Sequence, residues 1–588
     1  MTDFPTIRAR IHDSALKRVT RTFAATLADI FAETLQNARR AGATRVDIVL
    51  GEHERDGEPT VTVLDDGTGI ADPTVLLSFG ENGWSGDLVQ REDAAGMGLL
   101  SLARRGCAVS SRPRAPGEAP AAGWLVELAP EHFAGDAAAE VRPEAGAPYP
   151  HGTAVRFPAA AAETADRIRG ALEAAAVHYP LPVYWGRADR SPRDAEALPR
   201  RAFLDGAVHV ERWRGLVFGV FRNRPHRFGL NDPDVNFHGL TVAVRLPGVE
   251  TVGGARFSVA ADIEDCPELQ FVLPARKEAV ETPFLAEIRE SARLAIFRAL
   301  AADADPRPAF ADWKQARKAG IDIAPPPAEL RPWRPAVADL DRWREARKPQ
   351  PIPPDALIVA CDPEPPDAQA LRRAAGHNGL AHRLFEPDRR LEGYGWYDAV
   401  PRIVAVRTEA TRGGTIHALE DWPVPDRSNG TGTPPPRPEA IRMFATVRAP
   451  GQPDQHLDLP TDLAFAGEAW SWVGDARPLV TADSALDPGE LADLLYAAFF
   501  SPSDDADADS WERQQKDFEA EALHLATRLL VSDDEARRRS IAHSVWTENH
   551  WLMPRDRTVV ITVEGDAIEV EFGPAEPPAS LPPRPENP

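Results

Sequence analysis

Cysteine is nearly absent from this chain of 588 residues. Its three cysteines, Cys107, Cys266 and Cys361, lie far apart. That spacing excludes a disulfide framework and a cysteine-rich metal finger, and it fits a reducing cytoplasm. Long apolar runs are also missing. No stretch approaches the ~20 apolar residues that a bilayer-crossing helix needs, and none follows residues 1–5, so neither a membrane span nor a secretion signal is expected. Positive charge is in short supply: 67 Lys and Arg stand against 90 Asp and Glu, for a net charge of −23. This argues against a surface that binds nucleic acid throughout and leaves room only for a local basic patch. Proline is abundant, and it gathers in connecting stretches and in the tail after Gly573. The length fits about four domains.

What is present is a concentrated pattern between Phe31 and Ile70. Ile30, Phe31, Leu35 and Ala38 recur at helical spacing, and Gly42 stands where such a helix would be capped. Val46, Ile48 and Leu50 then alternate as in a half-buried strand, and Val61-Thr62-Val63-Leu64 predicts a second strand. Glu33 and Asn37 are four residues apart and share one helix face. An amide oxygen there is a hard ligand suited to Mg²⁺, and a carboxylate can take a proton from an attacking water; the bland alternative is a solvated helix face. The second strand runs into Asp65-Asp66-Gly67-Thr68-Gly69-Ile70. Its glycines allow close backbone approach to a ligand, and a strand-end carboxylate can accept a hydrogen bond from an amino group. A second glycine pair, in Ala95-Gly96-Met97-Gly98-Leu99-Leu100, precedes an apolar helical run whose N–H groups can meet phosphate. His151-Gly152-Thr153 leads into a further strand.

In this order and spacing the four motifs resemble the GHKL ATPases with the Bergerat nucleotide-binding fold. That superfamily includes topoisomerase ATPase subunits, ninety-kilodalton heat-shock chaperones, MutL and MORC proteins and sensor histidine kinases. The resemblance covers about residues 10–160. It implies ATP and Mg²⁺ as cofactors. Glu33 would be the general base and Asn37 the Mg²⁺ ligand. Asp65 would read adenine, with Gly67, Gly69 and Ile70 shaping the pocket floor. Gly96, Met97, Gly98 and Leu99 would end the ATP lid, whose mobile part is expected over Leu76–Asp93. Thr153 would back up Asp65 through water. One departure stands out: many members have Asn where this chain has Asp66.

Beyond the motifs the expected fold class is mixed α/β (α+β): a Bergerat ATPase sandwich over residues 1–178, then a transducer-like domain over 179–305. In the latter, Gln270–Val280 resembles the end of the transducer, where a loop brings a cation to the γ-phosphate. A MutL-like alignment points to Arg276 and residue type to Lys277, so both remain candidates. A transducer also argues against a histidine kinase. Residues 306–354 read as a Pro-rich linker or helical arm, 355–436 as a small α/β domain, 437–577 as an α+β domain ending in a hairpin, and 578–588 as a disordered tail. Residues 310–588 match no family pattern.

The resemblance implies a slow ATPase working as an ATP-gated clamp. Two N-terminal domains would associate on binding ATP, forming a nucleotide-dependent homodimer that acts on a macromolecular client. The acidic balance favours a protein client over nucleic acid, and no membrane is involved. A reading from another class is a scaffold that senses nucleotide without turnover and recruits a partner through its C-terminal half.

Overall fold

A computed structural model of the chain describes residues 26–52, 57–78, 98–115, 117–144, 150–188, 194–223, 234–271, 278–338, 348–422, 437–466, 473, 476–503, 509–552, 557–565 and 567–573. The class is mixed α/β. The chain divides into two compact units, residues 1–326 and 327–588. Among the described residues no helix is long and apolar enough to cross a membrane.

The first unit opens with α1 (Leu27–Arg40). Thr26 caps it: its hydroxyl accepts from the Asp29 N–H, and the Asp29 carboxylate accepts from the Thr26 N–H at 2.9 Å. Gly42, at φ +68°, ends it in the left-handed region. Ile30, Phe31 and Leu35 are fully buried, as the helical spacing predicts. Each contributes about 2 kcal/mol by leaving water. Gln36 is buried beside them, and no apolar pattern announces it.

Next come β1 (Val46–Glu52), β2 (Pro59–Asp65), β3 (Cys107–Arg112), β4 (Gly123–Leu128), β5 (Val141–Glu144), β6 (Gly152–Pro158), α2 (Ala165–Ala176), β7 (Val183–Arg187) and β8 (Glu196–Ala197). The strands form one sheet in the order β5-β4-β3-β6-β2-β1-β7-β8. β1 and β7 run parallel, and the other neighbours run antiparallel. α1 and α2 pack on each other and share a core with Ile48, Val61, Val109 and Phe157. Two sequence expectations shift here. Residues 134–150, rich in Pro, Ala and Gly, predict a surface loop, yet β5 forms within them. β7 completes the first sheet, so that sheet extends past residue 178.

The same unit continues with β9 (His209–Trp213), β10 (Leu216–Arg222), β11 (Val235–Phe237), β12 (Leu240–Val242), β13 (Gly248–Glu250), β14 (Arg256–Ile263), α3 (Pro283–Ala301) and α4 (Phe310–Lys318). The second sheet has the order β12-β11-β14-β10-β9, with β13 also on β14. α3, capped by Thr282, lays Leu285, Ile288, Ala292 and Ile296 against Phe218, Val220 and Val259. β10 is buried on both faces because Phe203 and Leu204 cover the side away from α3.

The second unit contains β15 (Glu329–Leu330), β16 (Gln350–Pro351), β17 (Leu357–Val359), α5 (Pro365–His377), β18 (Leu384–Phe385), β19 (Arg402–Arg412), β20 (Thr415–Ala418), β21 (Ala440–Arg448), β22 (Gln455–Thr461), β23 (Leu463–Ala466), β24 (Arg477–Val480), α6 (Pro488–Phe499), α7 (Trp511–Leu530), α8 (Asp533–Asn549), β25 (Val559–Glu564) and β26 (Ala567–Phe572). Its main sheet runs β18-β17-β19-β21-β22. This corrects the division expected at residue 436. β19 pairs with β21 from Arg402–Arg448 to Thr411–Ala440, so one sheet holds both halves. The Gly- and Pro-rich stretch between them connects two strands of that sheet rather than two domains. α5 packs on β22 and β23, α6 on α5 and α7 on α6, and Leu371, Leu491, Leu495 and Ala526 join one core with the sheet.

Candidate functional site

Asp65 ends β2, and its backbone sits opposite Thr153 of β6. Its side chain is buried, and its Oδ1 accepts from the Gly67 N–H at 2.9 Å. Burial pushes the carboxyl up to about 6; hydrogen bonds from the backbones of Gly67 and Thr153 work in the other direction. A carboxylate held with so few donors keeps acceptor capacity for a ligand.

Asp66 has a different task. Its carboxylate accepts from Thr44 N at 2.7 Å, Thr44 Oγ1 at 2.5 Å and Arg45 N at 3.0 Å. Burial opposes ionisation, yet these bonds hold it below the ordinary carboxylate value. It ties the start of β1 to the end of β2. An acceptor facing three donors explains why a carboxylate is accommodated at this position.

The turn that follows is fixed at both sides. Thr68 N–H donates to Ala41 O at 2.9 Å, joining the turn to the C-terminal end of α1, and Arg114 N–H donates to Thr68 O at 2.8 Å. At Gly67 a Cβ would stand 2.7 Å from the Ala41 Cβ. At Gly69, where φ is +71°, it would stand 2.8 Å from Arg112 O. Both glycines are therefore required by close approach.

Glu33 and Asn37 are half-buried on α1, one turn apart. Asn37 Oδ1 accepts from Arg40 Nη1 at 3.4 Å, a long contact that a stronger cation can replace. The Thr153 hydroxyl lies 3.2 Å from Ser111 Oγ, while its backbone faces Asp65. Ile70, half-buried, donates its N–H to Ser111 Oγ at 2.8 Å, and its carbonyl accepts from Trp124 Nε1 at 3.0 Å. Leu99 packs at the edge of the first core. Gly98 opens a five-residue 3₁₀ helix, Gly98–Leu102, in place of the longer helix expected after the second glycine pair. Gly96 and Met97 lie outside the described residues, as do most of the expected lid and both Arg276 and Lys277.

The sequence reading missed three contributors. Ser111 Oγ joins Ile70 N, Gly152 O and Thr153 Oγ1 at 2.8–3.2 Å. His151 Nδ1 lies 3.0 Å from Gly67 O; a carbonyl only accepts, so that nitrogen carries the proton. Gly152, at φ +120°, passes so close to β2 that a Cβ would lie 2.0 Å from Asp65 O. The signal for Gly152 and His151 was visible beside Thr153, but nothing local marked Ser111.

Among the described residues no group of three or more His, Cys, Asp or Glu side chains gathers to hold a metal ion. A lone amide oxygen suits Mg²⁺ only where other oxygens complete the shell. Phosphates do this for Mg²⁺, which keeps few protein ligands. Comparison with family models finds no match for this chain, and comparison with curated proteins finds none either.

Proposed function

We propose that the first unit binds Mg·ATP and hydrolyses it slowly, and that the chain is a GHKL-type ATP-gated clamp acting on a macromolecular client. The observation that carries this reading is the Asp65 corner. There a buried strand-end carboxylate, a glycine turn with no room for side chains, and the end of the helix bearing Glu33 and Asn37 are hydrogen-bonded into one piece. Asp65 accepts the exocyclic amino group of adenine. Gly67 and Gly69 let the flat base lie against backbone. Thr153 and Ser111 hold the far side of the pocket.

Asn37 would hold Mg²⁺ through one amide oxygen, and the ion, when bound, would supply charge neutralisation at the phosphates. Glu33, one turn earlier on the same helix, orients an attacking water and accepts its proton. Both sit on a rigid element whose end is tied to the base-reading turn, so base recognition and hydrolysis are held in register.

Titration with ATP, GTP and their diphosphates tests the base assignment. Asp65→Asn is expected to weaken adenine nucleotides by about tenfold or more, the scale of one charge-assisted hydrogen bond, and to leave guanine nucleotides at their weak wild-type level. Equal loss for every nucleotide, or none, contradicts the role.

A further inference from the structure

α1 also carries a buried polar side chain that the proposed nucleotide site does not use. Gln36 is 3 % exposed. Its Nε2 donates to His238 O at 2.8 Å and to Phe237 O at 3.3 Å, in the turn between β11 and β12 and at the end of β11. Its Oε1 faces the Arg39 guanidinium at 3.4 Å. Two carbonyls only accept and a guanidinium only donates, so the amide orientation is fixed by its partners.

The receiving turn is built to hold a position. Phe237 pairs with Leu240 across a two-residue turn, His238-Gly239, and both turn residues have positive φ (52° and 99°). A Cβ on Gly239 would lie 2.8 Å from the Cα of Tyr179, and the Tyr179 hydroxyl donates to Leu35 O at 2.6 Å. The turn therefore rests on a residue that is itself bonded to α1. Behind the turn, Asn236 Oδ1 accepts from Gly239 N at 2.9 Å and Asn236 Nδ2 donates to Asp262 Oδ1 at 2.7 Å. The Phe237 ring packs on Phe271 at 5.0 Å between centroids. Buried contacts thus run without a break from α1 through the turn to β14.

We infer that Gln36 is a positioning residue that passes the nucleotide state of α1 to the second sheet through the His238-Gly239 turn. The inference rests on the nucleotide reading above. Asn37 is the next residue along the same rigid helix, so a shift that brings Asn37 onto a bound cation also moves Gln36. Leaving a buried amide unmatched costs about 1–3 kcal/mol. The turn is bonded to α1 through Gln36 and rests on Tyr179, itself bonded to Leu35, so it follows the helix.

The test is amide hydrogen exchange over residues 235–242 in the full chain, with ADP and with a non-hydrolysable ATP analogue, for wild type, Gln36→Met and Gln36→Glu. Met keeps the volume and removes the donor. Glu keeps the shape of Gln and its contact with Arg39 and replaces the donor with an acceptor, an independent removal of the same hydrogen bonds. In wild type the ATP analogue is expected to slow exchange at the turn about fivefold or more relative to ADP, the scale of a typical coupling. In either variant the analogue should still bind within about threefold of wild type while the difference between nucleotides at the turn disappears. A purely structural Gln36 would speed exchange equally in both nucleotides, and that result overturns the relay. So does a turn in either variant that still distinguishes the nucleotides as wild type does, or a wild-type turn that ignores the analogue although it binds. A wild-type chain that binds no nucleotide overturns the relay and the proposed function together.

Discussion

Asp65 carries the largest electrostatic strain at the proposed site. Its carboxyl titrates near 3.8 when free and near 6 in the fold, mainly because it is buried. The folded chain therefore holds this proton more tightly than the unfolded chain does. Its own contribution to stability falls as pH rises from about 4 to about 6 and stays lower above that, by roughly 3 kcal/mol in all. A ligand amino group would relieve this cost, which is how a binding residue spends stability. Asp65→Asn is expected to raise the melting temperature of the nucleotide-free protein above that of wild type at pH 7.5, and the difference is expected to shrink as pH falls from 6.5 to 4. A variant that melts lower than wild type at pH 7.5 contradicts this account. Gly152 gives a second residue-scale outcome. Gly152→Ala meets both a positive φ and a carbonyl 2.0 Å away, whereas Gly135→Ala meets only a positive φ of +75° in open space. The first should cost several times the ~1 kcal/mol of the second in chemical denaturation; equal losses contradict the packing described. At this scale much of the corner was legible. Asp65, Gly67 and Gly69 stood in one motif because a turn needs its residues adjacent. Ser111 and Gln36 were hidden because their partners lie 41 to 202 residues away.

Elements with a strong period or turn are readable: α1, β2 and the closing hairpin β25–β26 fall close to their expected places. Short strands are not, because β5, β11 and β13 span only three or four residues, too few to establish an alternating pattern. The larger miss was the joint at residue 436, where loop composition resembled a linker while the flanking strands belonged to one sheet. A fragment of residues 327–436 lacks β21 and β22 and leaves β19 without its principal neighbour. It is expected to show no cooperative melting by circular dichroism, whereas 327–588 should melt cooperatively. A fragment ending at 436 that melts as a folded domain contradicts the single-sheet assignment.

For the whole molecule, the net charge of −23 and the division into two units frame the clamp reading. Nucleotide would be sensed in residues 1–326, and a client would be engaged by other surfaces, with residues 327–588 the larger share of sequence outside any family pattern. The central claim is that ATP, and not ADP, brings two chains together. The most direct measurement is the solution mass of the full-length Glu33→Ala protein, which blocks turnover, in saturating ADP and in a saturating non-hydrolysable ATP analogue. The account predicts a mass near 64 kDa in ADP and about twice that in the analogue, from a chain of 64.1 kDa. One unchanged mass in both nucleotides, with binding of each demonstrated in the same samples, contradicts the clamp.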